Sequence, residues 1–330
     1  TQAGEVKSVR RQQLLRFFQS LFRRGAKGGA VPDALVNKAI ERAVDGTDPW
    51  IRAVFSYKKK LRPAVVHAIG HVVALVDGTG PILPLDLQSY DSDPNLRTYF
   101  VTASELGNFL EHEPNLAQLR GKRAGLQHGA TALLLMEKRE RIMLGASLSG
   151  DVVLRDVPQV TVSFEGHRLM DLNDNEEETR YQLKRRAYDH LLRIALGRIT
   201  ELKARRGNLE KHRTLLNAKL SLLQRGGFGF DPGSGGETDV AGLEKKLAEI
   251  EAQLLAMGKD DKMLEVYLGV VADVLGRGEE YLWVGKETLI VDRMGVKRKE
   301  AGADAREVTF DVLCDAEGRR LVAALVNIPH

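Results

Sequence analysis

Residues 225–236 read RGGFGFDPGSGG, and this glycine-rich stretch separates two segments with the same apolar spacing. Apolar residues recur in both segments at alternating three- and four-residue steps, a period typical of paired helices. The first run comprises Tyr188, Leu192, Ala195, Ile199, Leu202, Leu209, Leu216, Leu220 and Leu223. The second run comprises Val240, Leu243, Leu247, Ile250, Leu254, Met257, Leu264, Leu268, Val271 and Leu275. Because the glycines and proline of residues 225–236 disfavour a continuous helix, the pattern predicts two helices that fold back on each other.

The two predicted arms of this hairpin carry opposite charge. Residues 176–225 contain 13 Lys or Arg against 6 Asp or Glu, a balance of +7, whereas residues 237–267 contain 4 against 8, a balance of −4. Opposite charge favours pairing of the two arms over association of like arms. Arg206 and Asp261 interrupt the apolar runs at similar heights, so we expect them to pair. Gly207 and Gly258 are nearly level in such a hairpin and indicate either a hinge or two unrelated surface glycines.

The segments on either side of the hairpin predict helices first and strands afterwards. One helix is expected over residues 6–24, and three more are expected to begin at Pro32, at Asp48–Pro49 and at Pro63. A further helix is predicted over residues 103–119, with Ser104 as its cap and a break at Pro114. Strand patterns fill 131–169 and resume at 281–284, 288–291, 308–313 and 321–328. Reversals are predicted at Glu137–Glu140, Ser149–Gly150, Glu165–Gly166 and Ala316–Gly318.

Together these patterns predict an α+β fold. N-terminal helices occupy 1–125, an antiparallel β meander 126–172, the long antiparallel coiled-coil hairpin 173–278 with its tip at 225–236, and C-terminal strands 279–330. The strands before and after the hairpin are expected to form one mainly antiparallel sheet, because both arms of a hairpin leave and return at the same base.

Composition places the chain among ordinary globular proteins. Its 330 residues are 43% hydrophobic and 28% charged, with a net charge of +4. Cys314 is the single cysteine, so an intrachain disulfide is excluded. No apolar run reaches the roughly 18 residues that cross a bilayer, and no signal-peptide pattern is present. We therefore expect a cytoplasmic protein.

The predicted tip contains two aromatic residues among glycines, Phe228 and Phe230. Aromatic side chains on an exposed loop usually contact a partner, although they could instead fold back over the end of the coiled coil. The leading hypothesis is accordingly a non-enzymatic adaptor or scaffold that binds a protein partner through the arm and these two residues. Assembly of the arms into a homo-oligomer is an alternative.

Two basic segments suggest other partners. Arg185, Arg186, Arg193 and Arg205 lie on the basic first arm and could follow the phosphates of a nucleic acid or a ribosome. The predicted N-terminal helix places Arg10 and Arg11 on its basic face and Phe18 and Phe22 on its apolar face. That arrangement suits an anionic membrane surface, an acidic partner or packing onto its own domain.

Catalytic motifs are weak in this sequence. His67 and His71 stand four residues apart on a predicted helix and could present two imidazoles to one metal ion. A third ligand is not evident, and core or rim histidines explain the pair more simply. A metal-dependent enzyme is therefore a third hypothesis, and no cofactor is expected.

Overall fold

The computed structural model describes residues 31–122, 129–149, 152–224, 236–258, 262–302 and 305–329. These residues form helices and a mainly antiparallel sheet, which confirms the predicted α+β class. The chain divides into two compact units. The first contains Ile69–Tyr188 and Gly278–His330, and the second contains Asp33–Ala68 and Asp189–Arg277. Within the described residues, no helix is both long and apolar enough to cross a lipid bilayer.

The first unit is built around a six-stranded sheet. Its strands are β1 (Leu83–Pro84), β2 (Ala130–Ser149), β3 (Val152–Asn173), β4 (Leu282–Asp292), β5 (Ala305–Asp315) and β6 (Arg320–Ile328). The order is β3-β2-β6-β5-β4, every neighbouring pair is antiparallel, and β1 pairs with β6 in parallel. The strands after residue 281 thus join those before residue 173 in one sheet, as the sequence predicts.

Short helices cover one face of this sheet. They are α3 (Pro94–Tyr99), α4 (Ala103–His112) and α5 (Pro114–Lys122). Leu96, Phe100 and Leu106 from this segment are fully buried against strand residues that include Leu134 and Phe310. The other face carries a smaller core. There Val76, at the end of α2 (Tyr57–Asp77), and Leu183, near the start of α6 (Glu176–Gln224), pack with strand residues.

Two predicted reversals in the meander are wrong. Glu137–Glu140 and Glu165–Gly166 lie inside β2 and β3, which run as one long antiparallel ribbon. The charged side chains fit there because the ribbon beyond Met136 no longer pairs with β6 and is largely solvent-exposed. Gly166 keeps a positive φ of 67° within the strand, so its turn-like conformation does not reverse the chain.

Several predicted helix boundaries also need correction. The helix expected to start at Pro63 begins at Tyr57 and contains Pro63, because an exposed proline near the start of a helix sacrifices only one backbone hydrogen bond. A helix that the sequence did not predict, α3, follows Asp93, whose carboxylate accepts hydrogen bonds from the amides of Asn95 and Leu96. Thr102, rather than Ser104, caps α4. The break at Pro114 is confirmed.

The second unit is helical. It contains α1 (Asp33–Asp45), a 3₁₀ helix (Pro49–Ala53), the first part of α2, the larger part of α6, α7 (Gly236–Met257) and α8 (Met263–Gly276). The first unit also includes the short helix α9 (Gly278–Tyr281). Fully buried apolar side chains in the second unit come from α1, α2, α6, α8 and the 3₁₀ helix: Val36, Ala43, Val44, Ile51, Leu61, Val65, Leu191, Ala195, Val271, Val274 and Leu275.

Contacts between α6 and the chain after α7 run in antiparallel order. The guanidinium of Arg198 lies 3.2 Å from the carboxylate of Asp273, and the ammonium of Lys203 lies 5.1 Å from the ring centre of Tyr267. Arg206 donates a hydrogen bond of 2.8 Å to the carbonyl of Gly258. As the residue number in α6 rises, its partner's number falls. These contacts support the predicted antiparallel pairing, while the complete hairpin stays a prediction because its tip lies outside the described residues.

The apolar seam of α7 has the expected burial pattern. From 240 to 257, the residues shielded from solvent are Val240, Leu243, Leu247, Ile250, Leu254 and Met257, and those between them are exposed. This 3.5-residue period is the one the sequence predicts. Of the two level glycines, Gly207 lies within the unbroken helix α6, whereas Gly258 follows the last residue of α7 with a φ of 113°. The predicted partner of Arg206, Asp261, lies outside the described residues.

Candidate partner-binding surface

Among the described residues of the second unit, the most exposed aromatic side chains lie in the segment between α1 and α2, residues 46–56, which we name the aromatic loop. Trp50 is 75% exposed and Phe55 is 88% exposed. The side chains of Ile51 and Val54, between them, are buried. The loop therefore turns two aliphatic residues inward and leaves two large aromatic side chains in solvent, which is unusual because burying such side chains stabilises a fold.

Polar contacts fix the start of the aromatic loop. Asp48 is 2% exposed, and its carboxylate accepts a hydrogen bond of 2.9 Å from the amide of Trp50. The ammonium of Lys203, on α6, lies 2.7 Å from the other oxygen of Asp48. This arrangement caps the 3₁₀ helix and ties it to α6. The 3₁₀ helix also packs against α8.

The end of the aromatic loop is fixed by a cluster of charges on α1 and α2. Glu41 accepts a hydrogen bond from the hydroxyl of Tyr57 at 2.9 Å and pairs with Lys58 and Arg52. Arg52 also reaches Asp45 at 2.7 Å. The hydrogen bond from Lys58, with further ones from Arg52 and Tyr57, outweighs burial and lowers the pKa of Glu41 to about 2. Most charges around the two aromatic residues are thus compensated within the unit.

Low pH should weaken the contacts of Glu41 at the end of the aromatic loop. The folded-state pKa of Glu41, about 2, lies below its ordinary value of 4.5. The group therefore stabilises the folded state above pH 4.5, and this contribution is lost as the pH falls from 4.5 towards 2. We expect Glu41→Gln to lower the urea midpoint of the second unit at neutral pH and to match wild type near pH 2. Glu201→Gln, on an exposed residue of α6, is the control. An unchanged midpoint of Glu41→Gln at neutral pH would contradict the assignment.

Ser56 follows Phe55 with a φ of 56°, in the left-handed region that serine rarely adopts. Such a conformation costs about 1–3 kcal/mol and persists only where the surroundings impose it. Here the anchors are the buried side chain of Val54 on one side and the hydrogen bond between Tyr57 and Glu41 on the other. The loop is therefore held in one shape with its aromatic side chains displayed.

A shallow groove of 370 Å³ lies next to the start of the loop. Leu192 and Leu196 supply its apolar floor, and an Arg42–Asp189 ion pair lines it. A side chain at Gly46 would approach the carbonyl of Arg42 at 3.0 Å and Leu192 at 3.2 Å. Glycine at this position thus permits the close approach of α1 and α6.

The four arginines of the predicted basic surface all lie on α6. Arg186 is bound to Asp171 by two hydrogen bonds of 2.7 Å. Arg185, Arg193 and Arg205 are exposed, and Arg193 lines the groove beside Gly46. Binding of a nucleic acid through these residues stays a prediction.

Other predicted site residues fall outside the described part of the chain or are separately engaged. Phe228 and Phe230 of the tip, and Arg10, Arg11, Phe18 and Phe22 of the N-terminal segment, lie outside the described residues. A ring nitrogen of His71 lies 2.8 Å from the carbonyl of Leu282, and His67 also has interactions of its own. Over the described ranges, no group of three or more His, Cys, Asp or Glu could hold a metal ion.

Sequence reasoning did not single out Trp50 or Phe55. A signal was available, because Asp48 and Pro49 predict a short helix, and four large apolar residues, Trp50, Ile51, Val54 and Phe55, lie within it or directly after it. A single turn cannot bury all four, so two of them must face solvent or a partner. No protein-family model matches this chain, and comparisons with curated proteins and with solved structures likewise found no significant similarity.

Proposed function

We propose that this protein is a non-enzymatic adaptor that binds a protein partner through its aromatic loop. The observation that carries the proposal is the exposure of Trp50 and Phe55 on a loop anchored at both ends. Aromatic residues dominate the binding energy of protein interfaces when they enter a pocket on the partner. A loop that is already held in its binding shape loses little conformational entropy when it binds.

The charges around the loop favour a protein partner over a nucleic acid. Arg52 and Lys58 are paired with carboxylates of α1, and Lys60 pairs with Glu265 of α8. A polyanion would have to compete with these carboxylates. A partner with an apolar pocket and a polar rim can instead leave the ion pairs in place. Contact through Phe228 and Phe230, which the sequence predicts, remains part of the proposal. A cytoplasmic location is also proposed, supported by the single cysteine.

Site-specific photo-crosslinking in cells tests the proposal. A photoreactive phenylalanine analogue at position 55 should give a discrete adduct with one protein. The same analogue at Leu255, an exposed residue of α7 in the same unit, should not give that adduct. With the identified partner, Phe55→Ala should weaken binding of the full-length protein about tenfold, which is typical of an interface anchor. A variant lacking residues 225–236 tests the tip separately.

Two results would count against the proposal. The first is the same set of adducts from positions 55 and 255, because a nonspecific surface reacts everywhere. The second is binding of the full chain to anionic vesicles that Phe55→Ala abolishes, with no protein adduct at position 55. That result would assign the aromatic loop to a membrane surface instead.

A further inference from the structure

A pocket of 130 Å³ in the first unit collects three arginines. Arg97 lies on α3, Arg293 follows β4, and Arg306 lies on β5. The backbone of Arg97 is bonded to the carbonyl of Asp93 and Arg306 belongs to the β4–β5 ladder, but no side chain of the three arginines forms a hydrogen bond or an ion pair with another residue that the structure describes. Arg298, close by in sequence, behaves differently and donates two hydrogen bonds, of 3.0 and 2.7 Å, to Asp292. Unpaired guanidinium groups gathered around one cavity are the arrangement that an anion requires.

The carboxylates of the pocket offset only part of the charge of these arginines. Asp292 accepts hydrogen bonds from the amides of Met294 and Val296 as well as from Arg298. Burial alone would raise the pKa of Asp292, but these hydrogen bonds hold it below its ordinary value. With Asp292 and Arg298 taken as a neutral pair, three arginines and Asp91 leave an excess charge of +2.

Two of the three arginines are attached to firmly positioned elements. Arg306 faces Val291 across the β4–β5 ladder. Arg97 lies on the helix that Asp93 caps and that Leu96 and Tyr99 anchor in the core. Arg293 belongs to the turn that Asp292 closes through the amides of Met294 and Val296. The three arginines therefore line the cavity from different elements of the unit.

We propose that this pocket binds the phosphate group of a small soluble molecule, a role independent of the aromatic loop. A tetrahedral phosphate offers oxygens to three donors in different directions, whereas a planar carboxylate is matched by one or two. The volume accommodates a single phosphate group with a small part of the molecule attached to it. Asp91 is expected to oppose phosphate binding through charge repulsion. Removing an arginine of the pocket should therefore weaken phosphate binding, whereas removing the charge of Asp91 should strengthen it.

Calorimetric titration of the full chain with inorganic phosphate, and with acetate for comparison, tests this site. We expect phosphate to bind at millimolar concentration or below and acetate to bind more weakly. Arg306→Gln should weaken phosphate binding about tenfold because a charged hydrogen-bond donor is lost. Asp91→Asn should strengthen it about threefold because a nearby like charge is removed. Arg155→Gln, at an exposed arginine of β3, should leave it unchanged.

The absence of phosphate binding would overturn the proposal. So would equal effects of Arg306→Gln and Arg155→Gln, because only the net charge of the protein would then matter. Asp91→Asn keeps the test valid if Arg306→Gln fails to fold, since unchanged or weakened binding in that variant contradicts the assignment. Binding to vesicles containing phosphatidate, without binding of inorganic phosphate, would place the group on a lipid and would also overturn it.

Discussion

Replacement of Leu254 by aspartate will destabilise the packing of α7 by about 3–4 kcal/mol. Leu254 is 6% exposed in the C-terminal half of the α7 seam, so aspartate would place an unpaired charge among apolar side chains. A helix of 22 residues is only marginally stable by itself in water. The helix should therefore lose its protection when the seam is broken.

Hydrogen exchange resolved to peptides within 240–257 measures this effect. Exchange in Leu254→Asp should accelerate about 100-fold or more, the equivalent of the lost free energy. The neighbouring Leu255 is 64% exposed and provides a matched control with the same substitution. Leu255→Asp should change the stability by no more than about 0.5 kcal/mol. Equal protection in the two variants would mean that the seam is not packed.

Replacement of Phe100 by alanine will destabilise the first unit by about 3–5 kcal/mol, the range for truncating a buried aromatic residue. Phe100 is fully buried, and its ring stacks on that of His167 with 4.3 Å between the centroids. Phe109 lies against the same pair at 5.6 Å from Phe100. The cavity left by the substitution would lie where the segment before α4 meets β3, and the rings around it cannot easily collapse.

Tryptophan fluorescence can isolate this effect. The chain has two tryptophans, so a Trp50→Phe background leaves Trp283 on β4 as a reporter of the first unit. In that background, Phe100→Ala should lower the urea midpoint strongly, whereas Val101→Ala, at a residue that is 72% exposed, should leave it nearly unchanged. Similar midpoints in both variants would show that the core does not depend on Phe100.

Regular patterns made much of the fold predictable. The heptad spacing from Tyr188 to Leu223 predicts a long helix, and α6 extends unbroken over 49 residues. A helix is predicted from Pro32, and α1 begins at Asp33. Ala316–Gly318 forms the predicted turn between β5 and β6, with Gly318 at a φ of 82°. In each of these cases the local signal and the tertiary packing agree.

Where prediction failed, long-range contacts decided the outcome. Glu137–Glu140 has the polarity of a turn, yet the pairing of β2 with β3 keeps it extended. Residues 295–298 connect β3 with β4, the two outer strands of the sheet order. The amide of Lys297 donates a hydrogen bond to the carbonyl of Val160 on β3, and that of Arg298 donates one to the carbonyl of Ile290 on β4. Sequence spacing carries no signal for a contact such as that of Lys297 with Val160, which are more than a hundred positions apart.

The candidate sites were less predictable than the fold for the same reason. The exposure of Trp50 depends on Asp48 and Lys203, which are 155 residues apart. Arg97 and Arg306 meet at one pocket only because α3 packs on β5. Single-sequence motifs describe neighbours along the chain, whereas both sites are assembled by tertiary structure.

Distances between spin labels test the antiparallel pairing of α6 with α7 most directly. In a Cys314→Ala background, labels are placed at the exposed residues Asn217 and Lys246, or at Ala204 and Lys246. Paired helices have axes about 8–10 Å apart, and thirteen residues displace a label by roughly 20 Å along the axis. The account predicts a short, narrow distance distribution for 217–246 and a clearly longer one for 204–246. A 217–246 distance equal to or longer than the 204–246 distance would contradict it.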